Sequence, residues 1–427
     1  MKRTILFAAA AGALGAALLA SGCSRAAKEG PRTITVAQSG TADIIGSDSA
    51  ALQKAADMVR PGDTLVIGPG TYTMENSLFV PSGVTVRGTP GKTILKKGAG
   101  VESPLAVDAG YGIFQLTPEN PERFRAGMGV SVLSDNNARG WNVSVTTITA
   151  IEGNILHINP MTIQNYTVVP NHARLQNTFP IIAVLRAENV VLDGLVADGN
   201  KDENAYLDGC RGGAIYLKLV RNVTVRNCIA RNYHGDGISF QITSGVRVLN
   251  CESYGNTGLG VHPGTGSDRP LVEGCRIHDN GRVGLFLCWR VRHGTFSNNL
   301  IERNGDYGIS IGHKDTDNLF VNNTVRYNGR YGVYFRPETF ANSGHRNTFR
   351  RNTIVDNGNA ETGAGFYVAP HATGIVIENN RIGETRSKGR TQRYGVYKVT
   401  GAGAVTLRNN DMAGNIAGSY KEGKPLP

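Results

Sequence analysis

The sequence has few of the residues that mark disulfide-rich, collagen-like or membrane-spanning proteins. It has only 6 cysteines in 427 residues and no Cys-x-x-Cys pair, so a structural zinc site is not indicated. Its 17 prolines follow no Gly-X-Y period, which excludes collagen. The longest apolar run, residues 5–20, is too short to span a bilayer. Charged residues are also few at 19%, but apolar residues make up 40%, which is enough for a packed core.

Glycine and positive charge are present in excess. The 55 glycines are about twice the usual share, and with frequent asparagine they indicate many tight turns between short strands. Lys and Arg outnumber Asp and Glu by 45 to 34, for a net charge of +11. This excess favours a polyanionic partner. We expect an acidic polysaccharide, and no nucleic acid.

The N-terminus predicts export. Lys2 and Arg3 precede the apolar run, which ends at Ala20-Ser21-Gly22-Cys23. Small residues before a cysteine resemble a bacterial lipoprotein signal, which implies a signal peptide at 1–22 and lipidation of Cys23. The protein would then be anchored to the cell envelope by lipid alone, at the outer membrane in a Gram-negative host. The alternative is an ordinary secretory signal with an incidental cysteine.

A repeat of about 24 residues occupies the second half of the chain. Phrases such as VTVRNCIARN, GTFSNNLIERN and NLFVNNTVRYN share one marked position, which is filled by Cys228, Cys251, Cys275, Asn299, Asn323, Asn352, Asn380 and Asn410. An apolar residue stands three before it in every unit and two after it in every unit except at Ser253, which indicates a strand with one buried face. A second strand in each unit follows a glycine, as in Gly308-Ile309-Ser310-Ile311.

These units resemble the coils of the right-handed parallel β-helix in the pectate-lyase-like superfamily. The resemblance implies an all-β solenoid with an N-terminal capping helix, which we place at Ser49 to Val59. Residues 105–180 break the pattern and predict a small antiparallel β insertion. The expected divisions are a linker at 23–40, the cap and first coils at 41–104, the insertion, the β-helix at 181–420 and a tail at 421–427. We expect Cys228, Cys251 and Cys275 to pack as thiols, with disulfides as the alternative.

The candidate site lies on the outward face of the glycine-led strands. Counting from each glycine places Gln241, His262, Cys288 and Arg336 in one outward column. Stacking would gather the cations along about four coils, or three steps of about 4.8 Å. The predicted catalytic residues are His262, His313, Lys314, Arg290 and Asp236. The predicted substrate-binding residues are Gln241, Trp289, Arg336, Glu338, Tyr334, Tyr367 and His371.

This set of side chains suits β-elimination at a uronic acid. A cation neutralises the carboxylate and an imidazole takes the C5 proton, so we predict a monomeric polysaccharide lyase. A C5-epimerase would need the same groups. No cofactor or metal site is predicted, although calcium is left open. The alternatives are a glycan-binding module without catalysis and a polygalacturonase-type hydrolase, which needs two carboxyl groups about 5–10 Å apart. The site aspartates Asp236 and Asp315 stand about three coils apart in the predicted stack.

Overall fold

The computed structural model describes residues 30–426. The predicted signal peptide and Cys23 lie outside this range. Within it, no helix has the length and apolar character needed to cross a membrane.

Three long parallel sheets form the faces of a β-helix, as predicted. Sheet A consists of Thr33–Ala37, Ile44–Ile45, Thr64–Ile67, Thr85–Arg87, Val191–Asp193, Thr224–Arg226, Arg247–Leu249, Leu271–Glu273, Thr295–Ser297, Leu319–Val321, Thr348–Arg350, Ile375–Glu378 and Val405–Arg408. Sheet B consists of Gly70–Met74, Thr93–Lys97, Val196–Asp198, Ile229–Arg231, Glu252–Tyr254, Arg276–His278, Leu300–Glu302, Thr324–Arg326, Thr353–Val355 and Arg381–Gly383.

Sheet C carries the glycine-led strands and the candidate site. It consists of Leu78–Phe79, Ile182–Leu185, Ile215–Lys218, Ile238–Gln241, Val261–Pro263, Leu285–Phe286, Tyr307–Ile311, Tyr331–Phe335, Ala364–Val368, Tyr394–Val399 and Gly418–Gly423. Each strand pairs in parallel with the strand of the next coil, so equivalent side chains of successive coils form columns.

The insertion is a separate antiparallel sheet, as predicted, with its own apolar core. This sheet D consists of Glu102–Pro104, Gln115–Leu116, Gly129–Leu133, Ser144–Glu152, Ile155–Asn159 and Arg174–Gln176. Short 3-10 helices occur at Pro121–Arg123, Asp135–Asn137, Gly140–Asn142, Lys201–Glu203 and Phe340–Asn342.

Helix α1 (Ser49–Met58) caps the N-terminal end of the stack, as expected. Asp48 precedes it, and its Oδ1 accepts a hydrogen bond from the Ala51 amide at 2.9 Å, which satisfies a free N–H of the first turn. Leu52, Ala55 and Ala56 are buried in the main core. The helix therefore removes apolar surface from solvent at the open end of the solenoid.

Two predicted boundaries are wrong. The linker cannot extend to residue 40, because Thr33–Ala37 is already a sheet A strand that pairs with Thr64–Ile67. The tail cannot begin at residue 421, because Gly418–Gly423 adds a last strand to sheet C. Gly418–Gly423 is polar and largely exposed, as a tail would be, whereas Thr33–Ala37 alternates buried Ile34 and Val36 with more exposed residues and has a strand pattern inside the expected linker.

Asparagine ladders tie the coils together. Asn299 donates through Nδ2 to Asn323 Oδ1 at 2.9 Å, and Asn323 donates to Asn352 in the same way. At the ladder's start, the Cys275 amide donates to Asn299 Oδ1 at 2.9 Å. All five cysteines within residues 30–426 are free thiols, and the three of the predicted column are buried. Packing, not disulfide formation, therefore explains their position.

Candidate functional site

The cations predicted to gather do lie on adjacent coils of sheet C. His262 belongs to one coil, Arg290 to the next, and His313 with Lys314 to a third. Arg336 follows the strand Tyr331–Phe335 of the fourth coil. One column assignment is wrong, however. Ser239 pairs with His262, so Gly260, not Gly258, leads that strand and His262 lies beside Ser239, not Gln241.

A loop at residues 199–213 covers the first part of this face. Gly209 O accepts hydrogen bonds from Ser239 Oγ at 2.7 Å and from Gln241 Nε2 at 3.4 Å. A Cβ on Gly209 would overlap Asp236 Oδ2, so only glycine allows this close approach. Gln241 is fully buried as a result, and its side chain holds the loop in place. The sequence pattern predicts an open substrate-binding position there, which is wrong.

Asp236 and His262 form a buried pair beneath this loop. His262 Nδ1 lies 2.8 Å from Asp236 Oδ2, and Asp236 Oδ1 accepts from the Leu259 amide at 3.0 Å. Burial lowers the pKa of His262, but the hydrogen bond and negative charge of Asp236 outweigh it and raise the pKa to about 10. The imidazole is therefore charged at neutral pH. Its Nε2 is buried without a hydrogen-bond partner.

Two strained turns present the next side chains. Trp289 and Arg290 have φ of 62° and 67°, and His313 and Lys314 have φ of 46° and 66°. Left-handed conformations cost non-glycine residues roughly 1 kcal/mol or more each. Within the described residues, no other two consecutive non-glycine residues share this conformation. Such strain concentrates at functional sites, where surrounding structure enforces it.

His313 is held between Trp289 and Glu338. Its ring stacks on Trp289 at 4.6 Å between centroids, and its Nε2 lies 2.7 Å from Glu338 Oε1. Burial, aided by the charge of Arg336, lowers the pKa of His313 to about 4. The ring is therefore neutral at pH 7 and donates its Nε2–H to Glu338. The lone pair on Nδ1 faces Cys288, whose Sγ lies 4.0 Å away.

Arg336 stabilises this part of the coil stack instead of projecting into solvent. It donates to Ser310 Oγ at 2.8 Å and to Leu287 O at 2.7 Å, and it pairs with Asp315 at 3.2 Å. Burial raises the pKa of Asp315 to about 7, although Arg336 and two backbone amides oppose that rise. Both terminal nitrogens are engaged and Nε is buried without a partner, so Arg336 has a structural role and does not present its charge to a substrate.

Arg290 and Lys314 are the available cations. Arg290 is exposed and Lys314 is half-buried. In the described part of the chain, neither side chain has an ion pair or a hydrogen bond to a protein group. Lys314 follows His313 in the chain, and the Arg290 amide on the preceding coil donates to His313 O at 2.9 Å, so both cations belong to the turns that present His313.

The predicted tyrosines and His371 are placed differently. Tyr367 is 7% exposed and stacks with Tyr331 and Tyr397 in a cluster that the C-terminal Leu426 also contacts. Tyr334 is half-buried in the same stack, so packing accounts for both tyrosines. His371 is exposed, one coil beyond Arg336, and makes no side-chain hydrogen bond or ring contact to the site within residues 30–426.

Neither Cys288 nor the cleft beside sheet D was singled out from the sequence. The sequence places Cys288 in the outward column and next to Trp289 and Arg290, but a lone cysteine has no pattern that assigns it a role. The described residues contain no group of three or more His, Cys, Asp or Glu side chains that could hold a metal ion.

Comparison with known proteins agrees with this architecture. The model of the "right handed beta helix region" family matches residues 193–337 and 293–412, which together cover just over half of the chain. The protein is a member of this right-handed β-helix family. No curated protein matches the sequence significantly.

Solved structures similar to this right-handed β-helix protein have several activities. The A-module of the mannuronan C-5 epimerase AlgE6 from Azotobacter vinelandii has a TM-score of 0.53 at 15% identity, over 89% of this chain and 95% of that one. The surface adhesin PfbA of Streptococcus pneumoniae has a TM-score of 0.53 at 13% identity, over 91% of this chain and 93% of that one. A glycoside hydrolase has a TM-score of 0.52 at 11% identity, over 92% of this chain and 97% of that one. At these identities the likeness concerns the fold.

Proposed function

We propose that the protein acts on an acidic polysaccharide and cleaves it by β-elimination at a uronic acid. The observation that carries the proposal is His313, a neutral and partly accessible imidazole anchored by Glu338, on turns that also carry the unpaired cations Arg290 and Lys314. The net charge of +11 and the polysaccharide named in the AlgE6 module's description support the substrate class.

The two histidines have different roles, and the sequence alone does not show which of them is the base. A pair of titratable groups with pKa values driven apart indicates which one can accept a proton. His262, with its pKa raised to about 10, is already protonated, and it is buried. His313, with its pKa lowered to about 4, is neutral and has an unprotonated Nδ1, whose lone pair faces the Cys288 thiol at 4.0 Å. We therefore assign the base to His313 and a positioning role to His262 and Asp236.

The reaction needs the uronate carboxylate to be neutralised. Lys314 and Arg290 neutralise the carboxylate by pairing with it. This pairing makes the C5–H bond more acidic. His313 Nδ1 takes the C5 proton, the C4–O4 bond breaks, and a C4=C5 double bond forms. The imidazolium that results is stabilised by Glu338, and it returns the proton to the departing O4. Trp289, which is 40% exposed beside His313, offers a ring face for the sugar.

Hydrolysis is less well supported by this geometry. Asp236 and Asp315 are both buried and pair with different cations, His262 and Arg336. They do not face each other across an open groove as an acid and a nucleophile would. Epimerisation uses the same proton abstraction and differs only in where the proton returns. A glycan-binding module without catalysis would use Arg290, Lys314 and Trp289 for binding alone.

A parallel measurement of two products tests the proposal. The purified protein is screened against pectate, alginate, hyaluronan, chondroitin sulfate and heparan-type chains, with and without calcium. The expected result is ultraviolet absorbance from the new double bond, rising together with reducing ends. Reducing ends alone indicate hydrolysis, and exchange of the C5 hydrogen with solvent without chain cleavage indicates epimerisation. Binding of a polysaccharide without any product would refute the proposed enzymatic activity.

His313→Gln should abolish the absorbance while leaving the fold intact. The matched control is His172→Gln, an exposed histidine of the insertion that pairs with Asp135. Equal activity of both variants would contradict the role given to His313.

We also propose that the chain is lipidated at Cys23 and held at the cell envelope. A Cys23→Ser variant should move from the detergent phase to the aqueous phase on phase partitioning. The anchor is unsupported if the wild-type protein is already found in the aqueous phase.

A further inference from the structure

A cleft lies between sheet C and the insertion, on the same face as His313. Its volume is about 510 Å³. One wall is formed by the sheet C strands Ile182–Leu185 and Ile215–Lys218, and the other by the first residues of the sheet D strand Ser144–Glu152. Phe79, Phe179 and Leu185 supply apolar surface. The cleft is large enough for a sugar unit and its neighbour to enter between the two sheets.

Three cations line the cleft and no carboxylate does. They are Arg186, Arg211 and Lys218. None of the three forms an ion pair with another side chain in the described residues. Burial, together with the nearby charges of Arg211 and Arg186, lowers the pKa of Lys218 to about 8. Grouped like charges without a counter-ion are unfavourable, and an anion in the cleft would relieve that repulsion.

The polar groups in the cleft are held in place but incompletely satisfied. Arg211 Nε is buried and has no hydrogen-bond partner. Lys218 Nζ lies 4.9 Å from the ring centroid of Trp141, which keeps the ammonium at the cleft wall by a cation–π contact. The Tyr216 hydroxyl donates to Cys210 O at 2.6 Å, which ties this wall to the loop that covers His262.

We propose that this cleft is a second binding site, which holds a carboxylated or sulfated sugar unit of the same polymer. This inference rests on the proposed function for the identity of the polymer. Lys218 pairs in register with Gln241, and the coil of His313 follows three steps later. Four coil steps of about 4.8 Å separate the two places, a distance of about 19 Å. The loop at residues 199–213 covers Ser239 and Gln241 between the two places, so a chain of a few sugar units reaches both by passing over that loop.

The protein's two tryptophans allow the two sites to be monitored separately. Trp141 reports on the cleft and Trp289 on the surroundings of His313. In the full chain, Trp289→Phe leaves Trp141 as the only indole, and Trp141→Phe leaves Trp289. Fluorescence titrations use oligogalacturonate, oligomannuronate and a heparin hexasaccharide as acidic probes, with maltohexaose as the neutral probe.

The expected result is saturable quenching of Trp141 by at least one acidic probe and none by maltohexaose. Lys218→Gln and Arg211→Gln should each weaken that binding about tenfold, because each removes a charged hydrogen-bond donor. Arg247→Gln, an exposed arginine on sheet A, is the matched control and should leave binding unchanged. Circular dichroism and thermal unfolding establish that each variant is folded.

Failure of this inference can be separated from failure of the proposed reaction. His313→Gln should abolish turnover and leave the Trp141 titration unaltered. If no acidic probe changes Trp141 fluorescence, or if Lys218→Gln and Arg247→Gln bind alike, the cleft is not an anion site, whatever the turnover assay shows. If Trp141 responds but turnover survives in His313→Gln, the cleft stands and the assignment of the base is wrong.

Discussion

His262 Nδ1 lies 2.8 Å from Asp236 Oδ2, and both side chains are almost completely buried. The insertion contains an exposed counterpart, in which His172 Nδ1 lies 2.7 Å from Asp135 Oδ2. The two pairs have similar His–Asp distances but different solvation, and Asp135 also pairs with Arg174 at 2.9 Å.

Asp236→Asn should lower the free energy of unfolding by about 3–5 kcal/mol, because it breaks a buried ion pair. Asp135→Asn should lower it by less than about 1 kcal/mol, since water screens that pair. Chemical denaturation at pH 7 measures both. Equal losses would show that burial does not strengthen the Asp236–His262 interaction.

The pH dependence of the same pair has a defined sign. The folded-state pKa of His262 is raised from 6.5 to about 10. The stabilisation of wild type over Asp236→Asn is therefore fully present below pH 6.5. That difference should shrink as the pH rises through 10. Denaturation series at several pH values check it, and a difference that grows with pH would contradict the charged state assigned to His262.

The acid limb of the turnover profile should be displaced to low pH. Because His313 has a pKa of about 4, kcat/KM should fall only as the pH drops through 4, not near 6.5. Arg336→Gln should move this limb upward, since the charge of Arg336 is one cause of the lowered pKa. Arg350→Gln, on sheet A and paired with Glu378, serves as the control. A limb at the same pH in wild type and Arg336→Gln would contradict the assignment of His313 as the titrating base.

The asparagine ladder should be most sensitive in its middle. Asn323→Ala removes bonds to Asn299, Asn352 and the backbone, so it should cost about 3 kcal/mol of stability. Asn410→Ala, at the part-exposed end of the ladder, should cost about 1 kcal/mol. Asn323→Cys should lose less than Asn323→Ala, because cysteine fills the equivalent position in earlier coils. Thermal unfolding ranks the three, and any other order would contradict the ladder's role.

The C-terminal strand should protect sheet C from association. Gly418–Gly423 pairs with Tyr394–Val399, and the Tyr397 hydroxyl donates to Lys424 O at 2.6 Å. Deleting residues 418–427 exposes a strand edge and the tyrosine stack, so the truncated protein should self-associate. Light scattering after size exclusion measures this. Tyr420→Ser, which changes an exposed side chain on the strand, should remain like wild type.

The fold was predictable because each coil repeats the same local pattern. Val225, Val272 and Phe296 mark sheet A by their spacing alone, and all three are buried. The capping helix and the change of pattern in the insertion could be recognised for the same reason. The C-terminal end was harder, because the edge strand Gly418–Gly423 exposes polar residues that resemble a tail.

The site was only partly predictable, because its members depend on register and on chain segments far apart in sequence. Two glycines, Gly258 and Gly260, could each lead the His262 strand, and pairing with Ser239 decides between them. The burial of Gln241 comes from Gly209, which belongs to a loop that no repeat predicts. Sequence spacing also cannot place Arg211 opposite the insertion. Charge on sheet C was therefore predictable, while its accessibility was not.

The insertion has a consequence for the order in which the chain assembles. Ser77 and Pro180 are hydrogen-bonded across 103 residues of sequence, whereas rungs such as Asn280 and Asn304 are 24 residues apart. Closing the longer loop costs the unfolded chain about 1.3 kcal/mol more, since each doubling of length adds about 0.6 kcal/mol. The regular coils after residue 181 thus hold the sequence-local contacts that favour early folding. The capped N-terminal coils join these regular coils only when the long loop between Ser77 and Pro180 closes, which has a high entropic cost. The continuous core is therefore completed at the base of the insertion.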